Sequence, residues 1–156
     1  MTARLVRRTT MLALLVLVLS AALATGVASA RASGFKERFA PINAAIRADG
    51  NAVGAALQAA GKQTDAQLAV AFANLATRTA NLTNRLDALP APAKYAAAKR
   101  KLTLALLAGA KDLLAIAKAG QAHDSKAALT ATKRLVADSR TISSSRAALA
   151  GKLGLP

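Results

Sequence analysis

Few side chains of this 156-residue chain have the types and the spacing that chemistry requires. The chain has one histidine, His123, one glutamate, Glu37, and no cysteine, which excludes thiolate metal sites, cysteine nucleophiles and disulfides. Haem in a helical protein requires a second histidine, a methionine or a Cys-x-x-Cys-His attachment, and a di-iron centre requires paired glutamates and histidines. The two methionines, Met1 and Met11, both stand at the N-terminus. We therefore expect neither a metal site nor a cofactor.

A run of three serines, Ser143-Ser144-Ser145, is the candidate for nucleophilic catalysis, but a serine nucleophile requires a neighbouring base. His123 lies about 20 residues upstream, which is roughly 30 Å along a helix. Surface pairing and helix capping explain most of the scattered aspartates, which are Asp49, Asp65, Asp87, Asp112, Asp124 and Asp138. We therefore expect His123 to lie in a solvated loop and the protein not to be an enzyme.

Positive charge is the unusual feature of the composition, with a formal net charge of +15 at pH 7. Residues 1–30 contain three arginines and no acidic residue, so the remainder carries about +12. Within that remainder, residues 31–92 hold seven Lys or Arg against four acids, and residues 93–156 hold twelve against three. The charge is therefore concentrated in the C-terminal half.

Helical spacing predicts that these charges form a basic face on the third and fourth helices, opposite their apolar stripes. The residues of this face are Lys94, Arg100, Lys101, Lys111, Lys118, Lys126, Lys133, Arg134 and Arg140. Such a face attracts anionic partners, so we expect a non-catalytic binding or envelope-associated protein that contacts envelope polymers or lipid headgroups through it. The alternative interpretation of the charge is a solvated face that maintains solubility. We expect no nucleic-acid partner, because the chain lacks exposed aromatic residues for base stacking.

A small-ligand carrier is the alternative function, since helices packed through small residues such as Gly109 leave room for a lipid or another apolar molecule. A polar ridge of Asn74, Arg78, Asn81 and Arg85 lies beside the stripe of the second helix and is a candidate lining for such a cleft. The ridge is also what the edge of a narrow apolar stripe looks like.

The composition of the chain and the spacing of its apolar residues indicate an all-α fold, whose helices would position the candidate residues. The chain is 54% hydrophobic but only 3% aromatic, and it is rich in alanine and leucine, the strongest helix formers. Residues 68–89 repeat with alternating spacings of four and three, which is the seam of a helix packed lengthwise against others. The seam residues are Leu68, Phe72, Leu75, Thr79, Leu82, Leu86 and Leu89.

Three further segments supply partners for this seam. The first segment begins near Ser33 and ends before Gly61. Its apolar stripe passes through Asp49 and consists of Phe35, Phe39, Ile42, Ile46, Val53 and Leu57. Gly50 and Gly54 predict a weak or kinked centre, with two shorter helices as the alternative, and Pro41 either kinks the helix or marks a later start. Thr64 and Gln67 form a predicted capping box before the second helix, and Pro90-Ala91-Pro92 ends that helix at Leu89.

The third helix is predicted over about 93–119, with a stop at Gly120. Its seam is Tyr95, Leu102, Leu106, Gly109, Leu113 and Ile116. The fourth helix is predicted to be capped by Asp124 or Ser125 and to run to about residue 150. Its apolar stripe is weaker, since Thr132 and Ser139 stand among Leu129, Leu135, Val136, Ile142 and Leu149. Four long segments with short links predict an antiparallel up-down-up-down four-helix bundle over residues 31–156.

Residues 1–30 have the order of a secretory signal peptide. Arg4, Arg7 and Arg8 precede an apolar run, and small residues stand at Ala28 and Ala30, so cleavage is expected after Ala30 and the protein is expected to be exported. The alternative is an uncleaved membrane anchor over residues 11–28.

The chain resembles the small, secreted, alanine-rich helical proteins of high-GC actinobacteria. The resemblance rests on the signal peptide, the start Phe35…Phe39-Ala40-Pro41-Ile42-Asn43, the junction Gly61-Lys62-Gln63-Thr64-Asp65, the break Leu89-Pro90-Ala91-Pro92 and the end Ala148-Leu149-Ala150-Gly151-Lys152-Leu153-Gly154-Leu155-Pro156. It covers all of the chain beyond residue 30. That group is uncharacterised, so the resemblance implies no activity and no functional residue.

Overall fold

The computed structural model describes residues 34–156, which form an antiparallel up-down-up-down bundle of four α-helices. The helices are α1 (34–59), α2 (Asp65–Asp87), α3 (Ala93–Gln121) and α4 (Ser125–Lys152), with a 3₁₀ turn at Ala60–Lys62. Consecutive helices are joined by short links. Helix α3 packs against α2 and α4, and α1 contributes to the same core clusters as the other three helices. The predicted fold class is confirmed. The predicted signal peptide, its membrane-anchor alternative and the cap at Ser33 lie outside the described residues.

Helix α1 is continuous through Pro41, Gly50 and Gly54, so the alternative of two shorter helices is wrong. Apolar residues are buried on both sides of the glycines, with Ile46 before them and Val53 after them. A helical glycine costs about 1 kcal/mol relative to alanine. Burial of the stripe on either side is sufficient to hold the helix together across that weak point.

The capping box that starts α2 is present as predicted. The Gln67 amide donates to Thr64 Oγ1 at 3.3 Å, and the Thr64 amide donates to Gln67 Oε1 at 3.0 Å. The helix ends at Asp87, two residues before the predicted end, because Pro90 disfavours helical geometry in the residue before it. Lys99 Nζ donates to the carbonyl oxygens of Asp87 and Leu89 at 2.6 and 2.8 Å and satisfies the helix end.

Helix α3 does not stop at Gly120, which contradicts the prediction. The residue that takes the left-handed conformation is His123, at φ 52°, and the amides of His123 and Asp124 donate to Gly120 and Ala119 in the Schellman pattern. Gly120 serves close packing instead. A Cβ at Gly120 would lie 3.1 Å from the backbone oxygen of Asp65, at the start of α2.

Helix α4 is capped by Asp124, whose carboxylate accepts from the Ala127 amide at 2.9 Å, and it ends in a second Schellman pattern at Gly154. The predicted stripe of α4 is wrong at two positions, because Leu129 and Val136 are exposed. The buried residues of α4 are instead Ala131, Leu135, Ser145, Leu149 and Ala150. At about 100° per residue, Leu129 and Val136 point more than 90° away from Leu135, and the neighbouring helices cover only one side of α4.

The core consists of two apolar clusters stacked along the bundle axis. The Phe35 cluster lies at the end of the α2–α3 link and contains Phe35, Phe39, Ile42, Ile46, Leu82, Leu86, Leu89, Tyr95, Leu102, Leu106, Leu149, Ala150 and Leu153. The Phe72 cluster lies at the opposite end and contains Val53, Phe72, Leu75, Ala76, Leu113, Ile116, Ala117, Ala131 and Leu135. Every helix contributes to both clusters, so the layer between them is enclosed by all four helices.

Replacing Thr64 by alanine removes one half of the capping box. We expect Thr64→Ala to lower the free energy of unfolding by about 1 kcal/mol, because the Gln67 amide loses its acceptor at the helix start. Urea denaturation followed by circular dichroism measures this. The control is Thr77→Ala, on an exposed hydroxyl of the same helix that bonds only its own backbone. Equal losses in the two variants would contradict the assignment.

Candidate functional site

Each helix carries a polar or small residue where its apolar stripe passes between the two clusters. These residues are Asp49 on α1, Thr79 on α2, Gly109 on α3 and Ser139 on α4. All four line the same cleft, which has a volume of about 390 Å³. This lies within the range of about 300–1,000 Å³ that is typical of small-molecule pockets. The cleft is therefore the site that the bundle builds between its two apolar clusters.

A buried carboxylate stands in the wall of this cleft. The side chain of Asp49 is only 6% exposed. Its Oδ2 accepts a hydrogen bond from Thr79 Oγ1 at 2.6 Å. Its Oδ1 lies 3.3 Å from Nε of Arg78 but accepts no hydrogen bond within the described part of the chain. A buried polar atom without a hydrogen bond is costly, and the Arg78 guanidinium beside Oδ1 offsets part of that cost.

Apolar side chains form most of the remaining wall. They are Ile46, Val53, Leu106, Leu113, Leu135 and Ile142. Gly109 admits Ile142, whose Cδ1 lies 2.9 Å from the point where a Cβ of residue 109 would stand. The wall can therefore receive the apolar body of a molecule as well as a polar group.

The cleft opens between α1 and α4. Gly50 lines it on the α1 side, and a Cβ built at Gly50 would meet nothing within 4 Å. Arg47 and Arg146 also line it, and neither has an acidic partner within 4 Å among residues 34–156. Arg146 is held in place because its Nη1 donates to Oδ1 of the buried Asn43 at 3.0 Å. The opening of the cleft is therefore positively charged.

The nine residues of the predicted basic face are all exposed. At about 100° per residue they fall into three rows. The outer side of α3 carries Arg100, Lys111 and Lys118, and the outer side of α4 carries Lys126, Lys133 and Arg140. The third row, beside the contact between these helices, consists of Lys94, Lys101 and Arg134. Two members already have partners. Arg134 Nε donates to Asp112 Oδ1 at 2.9 Å, and Lys94 Nζ lies 4.8 Å from the centre of the Tyr95 ring. The structure thus divides the predicted face rather than presenting one patch.

Leucines share the outer row of α3 with these charges. Leu104, Leu107 and Leu114 are exposed by 55%, 41% and 44% and alternate with Arg100, Lys111 and Lys118. No helix within residues 34–156 combines the length and the apolarity that crossing a membrane requires. The outer row of α3 is therefore a mixed apolar and basic surface.

Asp112 and Asp138 approach each other between α3 and α4, which the sequence did not predict. Burial raises the pKa of the Asp138 carboxyl, and so do the neighbouring Asp112 carboxylate and the hydrogen bond to it, while Arg134 acts in the opposite direction. The ion pair of Arg134 with Asp112 explains this arrangement as a structural link between the two helices. Within residues 34–156 no group of three His, Cys, Asp or Glu side chains could hold a metal ion.

The remaining sequence candidates lie apart from one another. His123 is exposed, as predicted, and its Nδ1 lies 2.8 Å from Asp65 Oδ2 at the end of the bundle near the α3–α4 link. In the serine run, Ser143 lines the cleft, Ser144 Oγ donates to the Thr141 carbonyl, and the buried Ser145 has no described partner. The polar ridge of Asn74, Arg78, Asn81 and Arg85 is exposed on α2, and Arg78 reaches back to Asp49.

Comparison of the chain with protein-family models, with curated proteins and with solved structures gives no match. The function is therefore inferred from the geometry of the site.

The sequence contains a signal for this site besides the apolar stripes themselves. Asp49, Thr79, Gly109 and Ser139 interrupt the four stripes, and each stands 30 residues after the one before. The caps of α2 and α4, Thr64 and Asp124, lie midway within two of these intervals. In an antiparallel bundle, residues equally far from a turn face each other at one level, so this spacing pairs Asp49 with Thr79 and Gly109 with Ser139. The cleft that all four residues line brings the two pairs together.

The stability of an Asp49→Leu variant shows whether the Asp49 carboxylate holds the fold together. Thr79 Oγ1 also donates to the Leu75 carbonyl at 2.9 Å, and Arg78 is more than half exposed, so neither partner loses its last interaction. We expect Asp49→Leu to raise the free energy of unfolding by about 1–4 kcal/mol, because a buried charge gives way to an apolar group of similar shape. Chemical denaturation measures it, with Asp49→Asn as the control of equal shape. A marked loss of stability in Asp49→Leu would show that the carboxylate holds the bundle together.

Proposed function

We propose that this protein is an exported, non-catalytic binding protein that holds a small, largely apolar molecule in the cleft between its helices. The observation that supports the proposal most directly is that the four residues that interrupt the stripes all line one cleft of about 390 Å³ between the two apolar clusters. The export part of the proposal rests on the sequence of residues 1–30.

Energetics favour a binding role over a structural role for this layer. Leucine and alanine would fill the space, as they do in the clusters above and below it, and would stabilise the bundle by about 1.5–3 kcal/mol for each large side chain buried. The chain instead has a carboxylate and two hydroxyls there, besides Gly109, whose missing side chain admits Ile142. Residues that lower the stability of a fold without an evident structural return are typical of functional sites.

The character of the lining favours binding over catalysis. Asp49 is the single carboxylate among the lining residues, and the described lining contains no histidine or lysine that could act as its acid or base partner. The apolar wall and the few convergent polar groups are instead the usual composition of a ligand pocket.

We expect a leucine at position 50 to place its side chain over the opening of the cleft, since Gly50 lines the cleft and a Cβ there would meet no atom within 4 Å. We expect Gly50→Leu to weaken binding of the neutral apolar fluorophore phenylnaphthylamine by about tenfold or more. The probe must displace a leucine whose burial contributes about 1.5–3 kcal/mol. A fluorescence titration of the purified protein measures this affinity.

The matched control is Gly54→Leu, one turn further along α1. Gly54 also has open space at its Cβ, but it does not line the cleft. Both variants replace a helical glycine and gain similar helix propensity, so thermal unfolding should show equal or higher stability in both. The proposal fails if the wild-type protein does not bind the fluorophore, or if both variants bind it as the wild type does.

A second candidate function is association with an anionic lipid surface through the outer row of α3. Its specific observation is the alternation of exposed Leu104, Leu107 and Leu114 with basic residues, because leucines can enter the headgroup boundary while the cations contact anionic lipid.

Vesicle co-sedimentation tests this second candidate. Vesicles of phosphatidylglycerol should bind the protein at low salt, those of phosphatidylcholine should not, and salt at about 1 M should release it because the screening length falls to about 3 Å. Leu107→Ser combined with Leu114→Ser should weaken binding, whereas Val70→Ser on an exposed position of α2 should not. Absence of binding to phosphatidylglycerol at low salt would reduce the charge to a solubility role.

A further inference from the structure

The cleft is basic at one end and apolar at the other. Arg146 on α4 donates to Asn43 on α1 at 3.0 Å, and Arg47 lies one helical turn, or about 6 Å, beyond Asn43 along α1. Val53 lines the cleft about 9 Å beyond Arg47, and Leu135 lines it about 16 Å from Arg146 along α4. Both apolar residues belong to the Phe72 cluster. The two arginines therefore stand at the end of the cleft that is nearer the Phe35 cluster.

We infer that the ligand is a small, linear, amphipathic anion that lies along the bundle axis, an inference that rests on the proposed function. Its anionic group binds Arg47 and Arg146, and its apolar chain extends towards Leu113 and Leu135. An unbranched carboxylate of medium chain length has this chemistry. Asp49 takes no part in this binding, because its carboxylate is buried and already has partners on α2.

Neither arginine is engaged by a carboxylate side chain. All seven acidic residues of the chain lie within residues 34–156, and the three ion pairs of that part of the chain involve neither Arg47 nor Arg146. An anion that enters the cleft therefore does not have to displace an existing ion pair. A ligand cation would face two positive charges at the same place, which is unfavourable.

Arg146 is held in position before any ligand binds. Its partner Asn43 is buried and is itself fixed, because its Nδ2 donates to the backbone oxygen of Pro156 at 3.1 Å. This anchor uses one of the five guanidinium donors and leaves the others for a ligand. An arginine that is held in advance loses less conformational entropy on binding.

The charge of the whole bundle has the same polarity as the cleft. The four residues that interrupt the stripes divide the described chain into two halves of similar size. The half around the Phe35 cluster, residues 34–48, 80–108 and 140–156, holds eleven Lys or Arg against two acids. The half around the Phe72 cluster, residues 50–78 and 110–138, holds seven against four. The summed field therefore favours an anionic group at the end of the cleft where the two arginines stand.

Direct titration with matched probes tests the inference. The probes are hexanoate, octanoate, decanoate and dodecanoate, with the alcohol and the amine of the length that binds best. Isothermal titration calorimetry of the purified protein at low salt gives each affinity. We expect the acid to bind about tenfold more tightly than the alcohol, because hydrogen bonds to a charged group are the stronger ones, and the amine to bind most weakly. Affinity should rise about tenfold with each two added methylenes until the cleft is filled.

Matched variants locate the anionic group. Arg47→Gln and Arg146→Gln should each weaken binding of the acid by about tenfold and leave binding of the alcohol unchanged. The control is Arg140→Gln, because Arg140 is exposed on α4 in the same half of the bundle and does not line the cleft. It removes the same charge, so it should leave the affinity for the acid nearly unchanged.

Nuclear Overhauser contacts between the bound acid and the ¹³C-labelled protein give the direction of the chain. The terminal methyl group of the acid should contact the methyl groups of Leu113 and Leu135. The methylene next to the carboxylate should contact Ile46, which lines the cleft beside Arg47.

The outcomes separate this inference from the proposed function. Tightest binding of the amine, equal binding of acid and alcohol, or a terminal methyl group beside Ile46 overturns the inference, while binding in the cleft itself stands. Acid binding that Arg47→Gln and Arg146→Gln weaken no more than Arg140→Gln does places the anion on the outer surface and also overturns it. If neither the acids nor phenylnaphthylamine binds in a manner that Gly50→Leu weakens, the proposed function fails as well.

Discussion

Burial of the Asp49 carboxylate between two apolar clusters is the constraint on which the rest of the structure depends. The charge occupies the layer where a bundle of this length would ordinarily place leucine. Thr79 and Arg78 each satisfy part of it, at 2.6 and 3.3 Å. The clusters on either side must supply the stability that the layer does not. Within residues 34–156 one oxygen of this carboxylate accepts no hydrogen bond, and the positive charge of Arg78 compensates it instead.

The architecture follows from sequence patterns with local physical causes. The spacing of the apolar residues predicted which side of α2 and α3 is buried, because the apolar stripe of a long amphipathic helix packs against the core. The capping box at Thr64 was predictable because side chain and backbone satisfy each other within four residues. The continuity of α1 and the end of α3 at His123 were not, since distant packing decides whether a glycine breaks a helix or admits a neighbour.

The candidate site was visible in the sequence only as separate irregularities. Asp49, Thr79, Gly109 and Ser139 each break a stripe, and their equal spacing becomes meaningful once antiparallel neighbours are assumed. The roles of Arg47 and Arg146 could not be predicted, because the opening between α1 and α4 depends on how far apart those helices lie. Leu129 and Val136 match the period of α4 but lie on its exposed side, since apolar spacing alone does not show which side has neighbours. The basic residues, which dominate the composition, are distributed over three rows rather than gathered at the cleft.

The central claim is that the layer around Asp49 is a ligand site, and nuclear magnetic resonance tests it most directly. The amides of Gly50, Gly109 and Gly54 are distinct reporters, of which the first two line the cleft and the third does not. Titration of the ¹⁵N-labelled protein with phenylnaphthylamine should shift Gly50 and Gly109 and leave Gly54 nearly unchanged. Shifts confined to the outer side of α3, around Leu107, or equal shifts at all three glycines would contradict the account.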